Sequence, residues 1–149
     1  MATRDYTTRR SSIVNSLVTK LEEINGTGNF LSSVSGVSPR LKFWDEIDEF
    51  PAVHINAGSE TREYLGAGEK FRFLTLTIRC YVQEDDAVEA LERLMEDVET
   101  VLETNNPITY TDKLGAVQST IQTTIVSIDT DEGVLDPLGI GELTCVVQY

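Results

Sequence analysis

The spacing of apolar residues predicts an amphipathic helix near the start of the chain, over residues 7–25. The apolar positions recur at the three- and four-residue intervals of one helix face, and they are Ile13, Val14, Leu17, Val18, Leu21 and Ile24. Asn25-Gly26 then provides a helix stop. Residues 26–39 are rich in glycine and serine, which predicts a connecting loop, with a short strand around residues 30–34.

Alternating apolar and polar residues predict strands in the middle of the chain. Residues 50–56 form a first strand, with Pro51 near its start, where no ladder donor is needed. The strongest strand pattern covers residues 71–83, where one face is apolar and the other is polar with aromatic patches. The apolar face carries Leu74, Leu76, Ile78, Cys80 and Val82, and the opposite face carries Phe73, Thr75, Thr77, Arg79 and Tyr81. Residues 58–70, between the two strands, are predicted to form the tip of a long hairpin.

A second helix is predicted over residues 86–104. Asp86 followed by Glu89 resembles a capping box, and Asn105-Asn106-Pro107 ends the pattern. The apolar face of this helix comprises Val88, Leu91, Leu94, Met95, Val98, Val101 and Leu102. Two further strands are predicted at residues 117–129 and 142–149, joined by a loop over residues 131–139.

This order of elements predicts a single domain over residues 1–149 with an α+β fold. Two apolar helix faces need one sheet face to cover them, so we expect a two-layer sandwich. Its sheet is mainly antiparallel or mixed, and both amphipathic helices pack on one face. The other sheet face, with Thr75, Thr77, Arg79 and Tyr81, is then open. Such a face is a candidate subunit interface, although a simply solvated face is equally compatible.

Charge narrows the possible functions. The chain has 149 residues with 25 acidic and 12 basic side chains, for a formal net charge of -13. A strongly acidic chain repels nucleic acid, so a sequence-reading DNA or RNA binder is disfavoured. The first residues are basic, whereas residues 84–103 hold nine acids against Arg93 alone. That block is either a solvated helix face or a negative surface that a polyanion slides past without binding.

The sequence contains no apolar run that predicts a membrane span and no signal-peptide pattern, so we expect a soluble, unexported protein without a membrane partner. Cys80 and Cys145 are too few for a disulfide framework, which favours a reduced, cytosolic setting.

His54, the only histidine, is expected to be structural. Gly66-Ala67-Gly68 and residues 129–133 depart from phosphate-loop and calcium-loop patterns. We therefore predict no catalytic, metal or cofactor site, and no enzyme activity.

The whole arrangement resembles the phage tail terminator (tail completion, minor tail protein U-like) family, whose members cap a finished tail tube. The resemblance covers nearly the full chain. It includes the first helix with Arg9-Arg10, the strand over residues 74–82 and the helix over residues 86–102. Its most telling parts are the strand Phe50-Pro51-Ala52-Val53-His54-Ile55 leading into Gly58-Ser59-Glu60, and the closing strand that ends on Tyr149.

The resemblance implies a non-enzymatic virion protein that forms a ring, usually of six subunits. Such a ring caps the completed tube, stops its polymerisation and forms the joint to the head connector. The implied partners are further copies of the chain, the tail tube protein, head-to-tail connector or neck proteins and, if the tail is contractile, the sheath protein. Genome DNA would cross the channel without specific binding. The implied location is the head-proximal end of the virion tail, after assembly in the host cytoplasm.

Mixed charges mark the candidate contact residues. In the predicted hairpin, basic and acidic side chains interleave, which suits alternating salt contacts between neighbouring subunits. The candidate interface residues are Glu60, Arg62, Glu63, Lys70, Arg72, Arg79 and Tyr81. An ordinary solvated hairpin is the alternative. For the whole protein, the alternatives are another head-to-tail connector or neck protein, or an acidic DNA mimic that uses the carboxylates of residues 84–103.

Overall fold

A computed structural model of the protein describes residues 7–149, apart from the side chain of Trp44. Within this range there are two α-helices, α1 (Arg9–Leu21) and α2 (Ala87–Thr104), and a short 3-10 helix at Trp44–Glu46. The strands are β1 (Gly36–Ser38), β2 (Ala52–Gly66), β3 (Glu69–Gln83), β4 (Thr109–Thr111), β5 (Val117–Ser119), β6 (Gln122–Thr130) and β7 (Leu138–Gln148).

The main sheet has the strand order β1-β2-β3-β7-β6, and its neighbours are antiparallel except for the parallel pair of β1 and β2. Strands β4 and β5 pair separately. Helix α1 packs against β1 and β2, and helix α2 packs against β3 and β7. The predicted α+β fold, a mixed sheet with two amphipathic helices, is confirmed. A single domain over residues 1–149 stays a prediction, since residues 1–6 lie outside the described part.

The core lies between the helices and the sheet. On β3, the predicted apolar face is buried throughout, with at most 1% exposure for Leu74, Leu76, Ile78, Cys80 and Val82. On β7, Leu143, Cys145 and Val147 continue this layer at 0% exposure. Both cysteines are free thiols, as expected for small apolar core residues. Burial raises the pKa of each thiol to about 12, so both stay protonated and unreactive at neutral pH.

The first helix and the loop after it differ from the prediction. Helix α1 ends at Leu21 rather than near residue 25, and Asn25 instead forms an isolated bridge with Ser33. No strand forms at residues 30–34, because the amides of Leu31 and Ser32 bind a side chain of α2 instead of a neighbouring strand. The short strand of this region, β1, lies further along the chain.

The region predicted as one strand over residues 117–129 is two strands in different sheets. The interruption falls at Thr120, whose amide donates to the Ile108 carbonyl and whose hydroxyl accepts from the Ile108 amide. These two bonds attach the chain to the segment before β4, so it cannot continue straight into β6. In the second helix, Val88 is 51% exposed rather than part of the apolar face, whereas Ala87 and Ala90 are buried.

The loop over residues 26–35 is attached to helix α2 by a buried carboxylate. Asp97 is 0% exposed, and its oxygens accept bonds from the Leu31 amide at 2.8 Å, the Ser32 amide at 2.7 Å and the Ser32 hydroxyl at 2.6 Å. A buried charge is tolerated when hydrogen-bond donors surround it. Asp97 therefore ties a glycine- and serine-rich loop, which has little apolar surface of its own, to the core.

We expect Asp97→Asn to lower the free energy of unfolding by about 2–4 kcal/mol, because its amide group would point N–H donors at backbone N–H donors. Chemical denaturation measures this change. Glu96→Gln, at the preceding position of the helix but exposed to solvent, is the matched control and should change stability little. Equal stabilities for the two variants would show that the loop attachment does not depend on the Asp97 charge.

Candidate interface at the base of the long hairpin

Strands β2 and β3 form the long hairpin, which is longer than the sequence indicated. Pairing continues to Gly66 and Glu69, so the turn itself contains only Ala67 and Gly68. Both turn residues have positive φ, 51° and 80°, as a tight two-residue hairpin turn requires. Most of the predicted tip over residues 58–70 is therefore paired strand, and its side chains have fixed directions.

An irregularity in β2 decides which hairpin side chains face the helices. The pairing register shifts between Ala57 and Glu60, so that Glu60 lies opposite Leu74, whose side chain faces the core. Arg62 accordingly lies opposite Arg72 on the same face. Without the shift, the alternation along β2 would place Glu60 on the opposite face of the sheet. The bulge therefore brings charged hairpin side chains towards the amino-terminal end of α1.

Glu60 is the centre of a polar cluster at the base of the hairpin. Its carboxylate accepts a bond from the Tyr149 hydroxyl at 2.5 Å and another from Arg62 Nε at 2.8 Å. The Arg10 guanidinium donates to the Gly58 carbonyl within the bulge. Burial opposes ionisation of Glu60, but the bonds from Tyr149 and Arg62 and the nearby arginine charges outweigh it, so the pKa of Glu60 is lowered.

Tyr149 connects this cluster to the small sheet. Its side chain is 8% exposed, its ring meets Tyr110 edge-on at 6.3 Å between centroids, and the Arg72 guanidinium lies 5.4 Å from the ring centroid. Burial and the bond to Glu60 both raise the pKa of the Tyr149 phenol, so it remains a hydrogen-bond donor at neutral pH. The ring is thus held between a cation, an aromatic neighbour and a carboxylate.

The structure brings three of the predicted interface residues, Glu60, Arg62 and Arg72, into this cluster. Glu63 is exposed on the opposite face of the hairpin, opposite Phe71. Lys70 lies nearer the turn, with Nζ 5.7 Å from the centroid of the Tyr64 ring. Whether these positions contact other subunits stays a prediction.

Arg79 and Tyr81 lie apart from this cluster, further along β3. Arg79 pairs with Glu142 across the outer face of the sheet at 2.8 Å, and the hydrogen bond to Glu142 raises the pKa of the guanidinium. Tyr81 is only 2% exposed. It packs against His54 at 5.1 Å between ring centroids, and its hydroxyl is 3.5 Å from the Lys42 carbonyl. The expectation that Tyr81 belongs to an open face is wrong, because the segment before β2 covers that end of the sheet.

Sequence reasoning missed several residues around the hairpin base. A cavity of about 570 Å³ opens beside the cluster, lined by Arg62, Arg72 and Tyr149 together with Arg9, Arg10, Asp112, Lys113 and Leu114. The sequence places Arg9-Arg10 in a basic first helix and in the family resemblance, but not beside the hairpin. Lys113 could not be placed from sequence, because it lies in the turn between β4 and β5, and β4 was not predicted.

His54 has the surroundings of a structural residue. It is 4% exposed, and its Nδ1 has no hydrogen-bond partner within the described part of the chain. Burial, assisted by the charge of Lys42, lowers the pKa of the imidazole and keeps it neutral. Among residues 7–149, no group of histidine, cysteine and carboxylate side chains could hold a metal ion. Neither helix described in this range has the length and apolarity of a bilayer span.

Known proteins share both the fold and the sequence pattern of this chain. A chain from the virion of the native gene transfer agent (GTA) particle shares the fold, with a TM-score of 0.53 over 95% of this chain and 93% of that chain, at 5% identity. A family model described as Bacteriophage Tail Tube Terminator Protein matches residues 7–149. Tail tube terminator protein p142 of Escherichia phage T5 is 34% identical over 94% of this chain and 92% of its own length. The chain belongs to the bacteriophage tail tube terminator family.

The Glu60 cluster predicts a pH-dependent contribution to stability. We expect Glu60→Gln to lower the free energy of unfolding at neutral pH by about 1–3 kcal/mol, since Tyr149 and Arg62 lose a charged acceptor. Because the folded-state pKa of Glu60 is lowered, its stabilisation is present above the ordinary value of 4.5 and is lost as the pH falls through the folded-state pKa.

Denaturation curves at neutral pH and at about pH 3 test this pH dependence. The difference between the wild-type protein and Glu60→Gln should shrink on acidification. Glu63→Gln, which removes the same charge from an exposed position of β2, serves as the control and should have little effect at either pH. A Glu60→Gln effect of constant size across this range would contradict the assignment.

Proposed function

We propose that the protein caps the completed tail tube as a ring of six subunits, stops tube polymerisation and forms the joint to the head connector. The observation that carries this proposal is the family match over residues 7–149, together with 34% identity to a protein named as a tail tube terminator. The six-fold ring and the head joint extend that family assignment. The role is structural, and no catalytic step is part of it.

Exposed apolar side chains on the long hairpin and the sheet edge support assembly into a ring. Tyr64 and Leu65, near the hairpin turn, are 68% and 48% exposed. Val126 and Ile128 are 60% and 47% exposed on β6, which has β7 as its only strand neighbour in the main sheet. An edge strand with exposed apolar side chains is a suitable surface for a neighbouring subunit. In the proposed ring, these surfaces contribute to contacts between subunits and with the tube.

The proposed partners follow from the position of the ring. One face binds the last ring of tail tube protein, the other binds head-to-tail connector or neck proteins, and a sheath protein adds a contact if the tail is contractile. Genome DNA crosses the central channel without specific binding, because a chain with a net charge of -13 provides repulsive walls. We propose a location at the head-proximal end of the virion tail, reached after assembly in the host cytoplasm.

Tube assembly in the presence of the purified protein tests the proposal. We expect a species of about 100 kDa in light scattering, from six chains of 16.6 kDa each, alone or after exposure to tube protein. We also expect added protein to stop tube elongation at substoichiometric amounts, because only tube ends are bound. A persistent monomer that leaves tube growth unchanged would refute the proposal, and binding to connector rings but not to tube ends would favour another neck protein.

A further inference from the structure

The cavity beside the hairpin base collects a large share of the positive charge of an acidic protein. Of the 12 basic residues in the chain, five line this one cavity of about 570 Å³. Two come from the first turn of α1, one from β2, one from β3 and one from the turn between β4 and β5. They are Arg9, Arg10, Arg62, Arg72 and Lys113. We call this the cation-lined cavity.

Most of these cations lack an acidic partner within the described structure. Of these five cations, only Arg62 forms an ion pair within residues 7–149, with Glu60. Asp112 also lines the cavity, but its carboxylate accepts bonds from the amides of Leu114 and Ala116 and from the side chain of Gln118. Asp112 and Glu60 also interact through space with Arg9 and Arg10, respectively. Five cations against these two carboxylates still leave a surplus of positive charge, which makes the cavity a site for further carboxylates.

Negative charge is concentrated on helix α2, where five glutamates follow one another at intervals of three and four residues. This spacing places them along one face of the helix, in a line about 21 Å long. They are Glu89, Glu92, Glu96, Glu99 and Glu103, which we call the glutamate stripe. The only basic residue of the helix, Arg93, lies 3.5 Å from Glu84 instead. The stripe faces away from the buried side of α2 and is exposed, with Glu99 partly so.

The two charged surfaces lie on different parts of the molecule. The cavity adjoins α1, which packs on the side of the sheet formed by β1 and β2, whereas the stripe belongs to α2, above β3 and β7. The cavity and stripe of one copy therefore cannot neutralise each other directly. A neighbouring copy can bring its stripe to the cavity, and such a head-to-tail contact generates a ring where the rotation between copies closes.

We propose that the cation-lined cavity of each copy receives the glutamate stripe of the next copy, as a head-to-tail contact of the ring. This inference rests on the proposed ring and specifies one of its contacts. A cavity with a surplus of positive charge meets five glutamates, so the contact reduces the repulsion within each surface. The apolar part of the cavity, formed by Leu114 and Tyr149, excludes water from the charged pairs and strengthens them.

Paired charge reversals test this contact under the conditions in which the wild-type protein forms its ring. The cavity variant is Arg9→Glu with Lys113→Glu, two exposed positions outside the Glu60 cluster. The stripe variant is Glu92→Arg with Glu96→Arg. We expect each variant alone to assemble roughly tenfold or more weakly, because like charges then face each other. Arg40→Glu with Lys42→Glu makes the same charge change as the cavity variant at exposed sites elsewhere, and it should assemble as the wild type does.

Mixing the two variants supplies the decisive result. Every contact in a ring that alternates cavity and stripe variants pairs opposite charges, so an equimolar mixture should regain the wild-type mass in light scattering. Normal assembly of both variants alone would overturn this inference and leave the ring intact. Failure of the mixture to assemble would also overturn it. If the cavity variant formed normal rings that no longer stop tubes, the inference would be wrong as well, and the cavity would instead bind an acidic segment of the tube protein. A wild-type protein that never forms a ring would instead refute the proposed function.

Discussion

The strict alternation of side chains along β3 and β7 is the constraint on which the rest of the structure depends. Every second residue from Leu74 to Val82 on β3 and from Leu143 to Val147 on β7 enters the core beneath the helices, so a shift of one position would exchange buried and solvent-facing residues. This register fixes the outer face, where Arg79 meets Glu142. The bulge in β2 is needed for the same reason. Only a local change of register can turn Glu60 and Arg62 towards the helices while strands β3 and β7 keep their pairing.

Charge is distributed in this protein so that each copy is electrostatically incomplete. The surplus of acids resides largely on α2 and in the carboxy-terminal part, while two arginines of α1 and two of the hairpin gather with Lys113 around one cavity. Within the chain, Glu60 uses Arg62 and Tyr149 to hold the hairpin base together. The other charges at that base remain available. In the proposed ring this polarity has a use, since a head-to-tail contact needs two different surfaces that fit each other.

Elements set by local periodicity were predictable from sequence. The buried face of β3 and the helix beginning after Asp86 follow directly from spacing and capping. Features that depend on distant partners were not predictable. The loop around Leu31 bonds to Asp97, and the segment containing Lys42 covers Tyr81. The strand predicted over residues 117–129 is interrupted at Thr120, which bonds to Ile108. The cation-lined cavity could not be predicted for the same reason, because its five cations come from four separate segments of the chain.

The central claim is that this protein ends the tail tube as a ring. Cryo-electron microscopy of tubes assembled with the protein tests it most directly, because the image shows both where the protein binds and how many copies are present. The account predicts a six-subunit ring at one end of the tube, with the long hairpin and cation-lined cavity of each copy in contact with neighbours. Protein distributed along the tube wall, or tube ends that bear no added density, would contradict it.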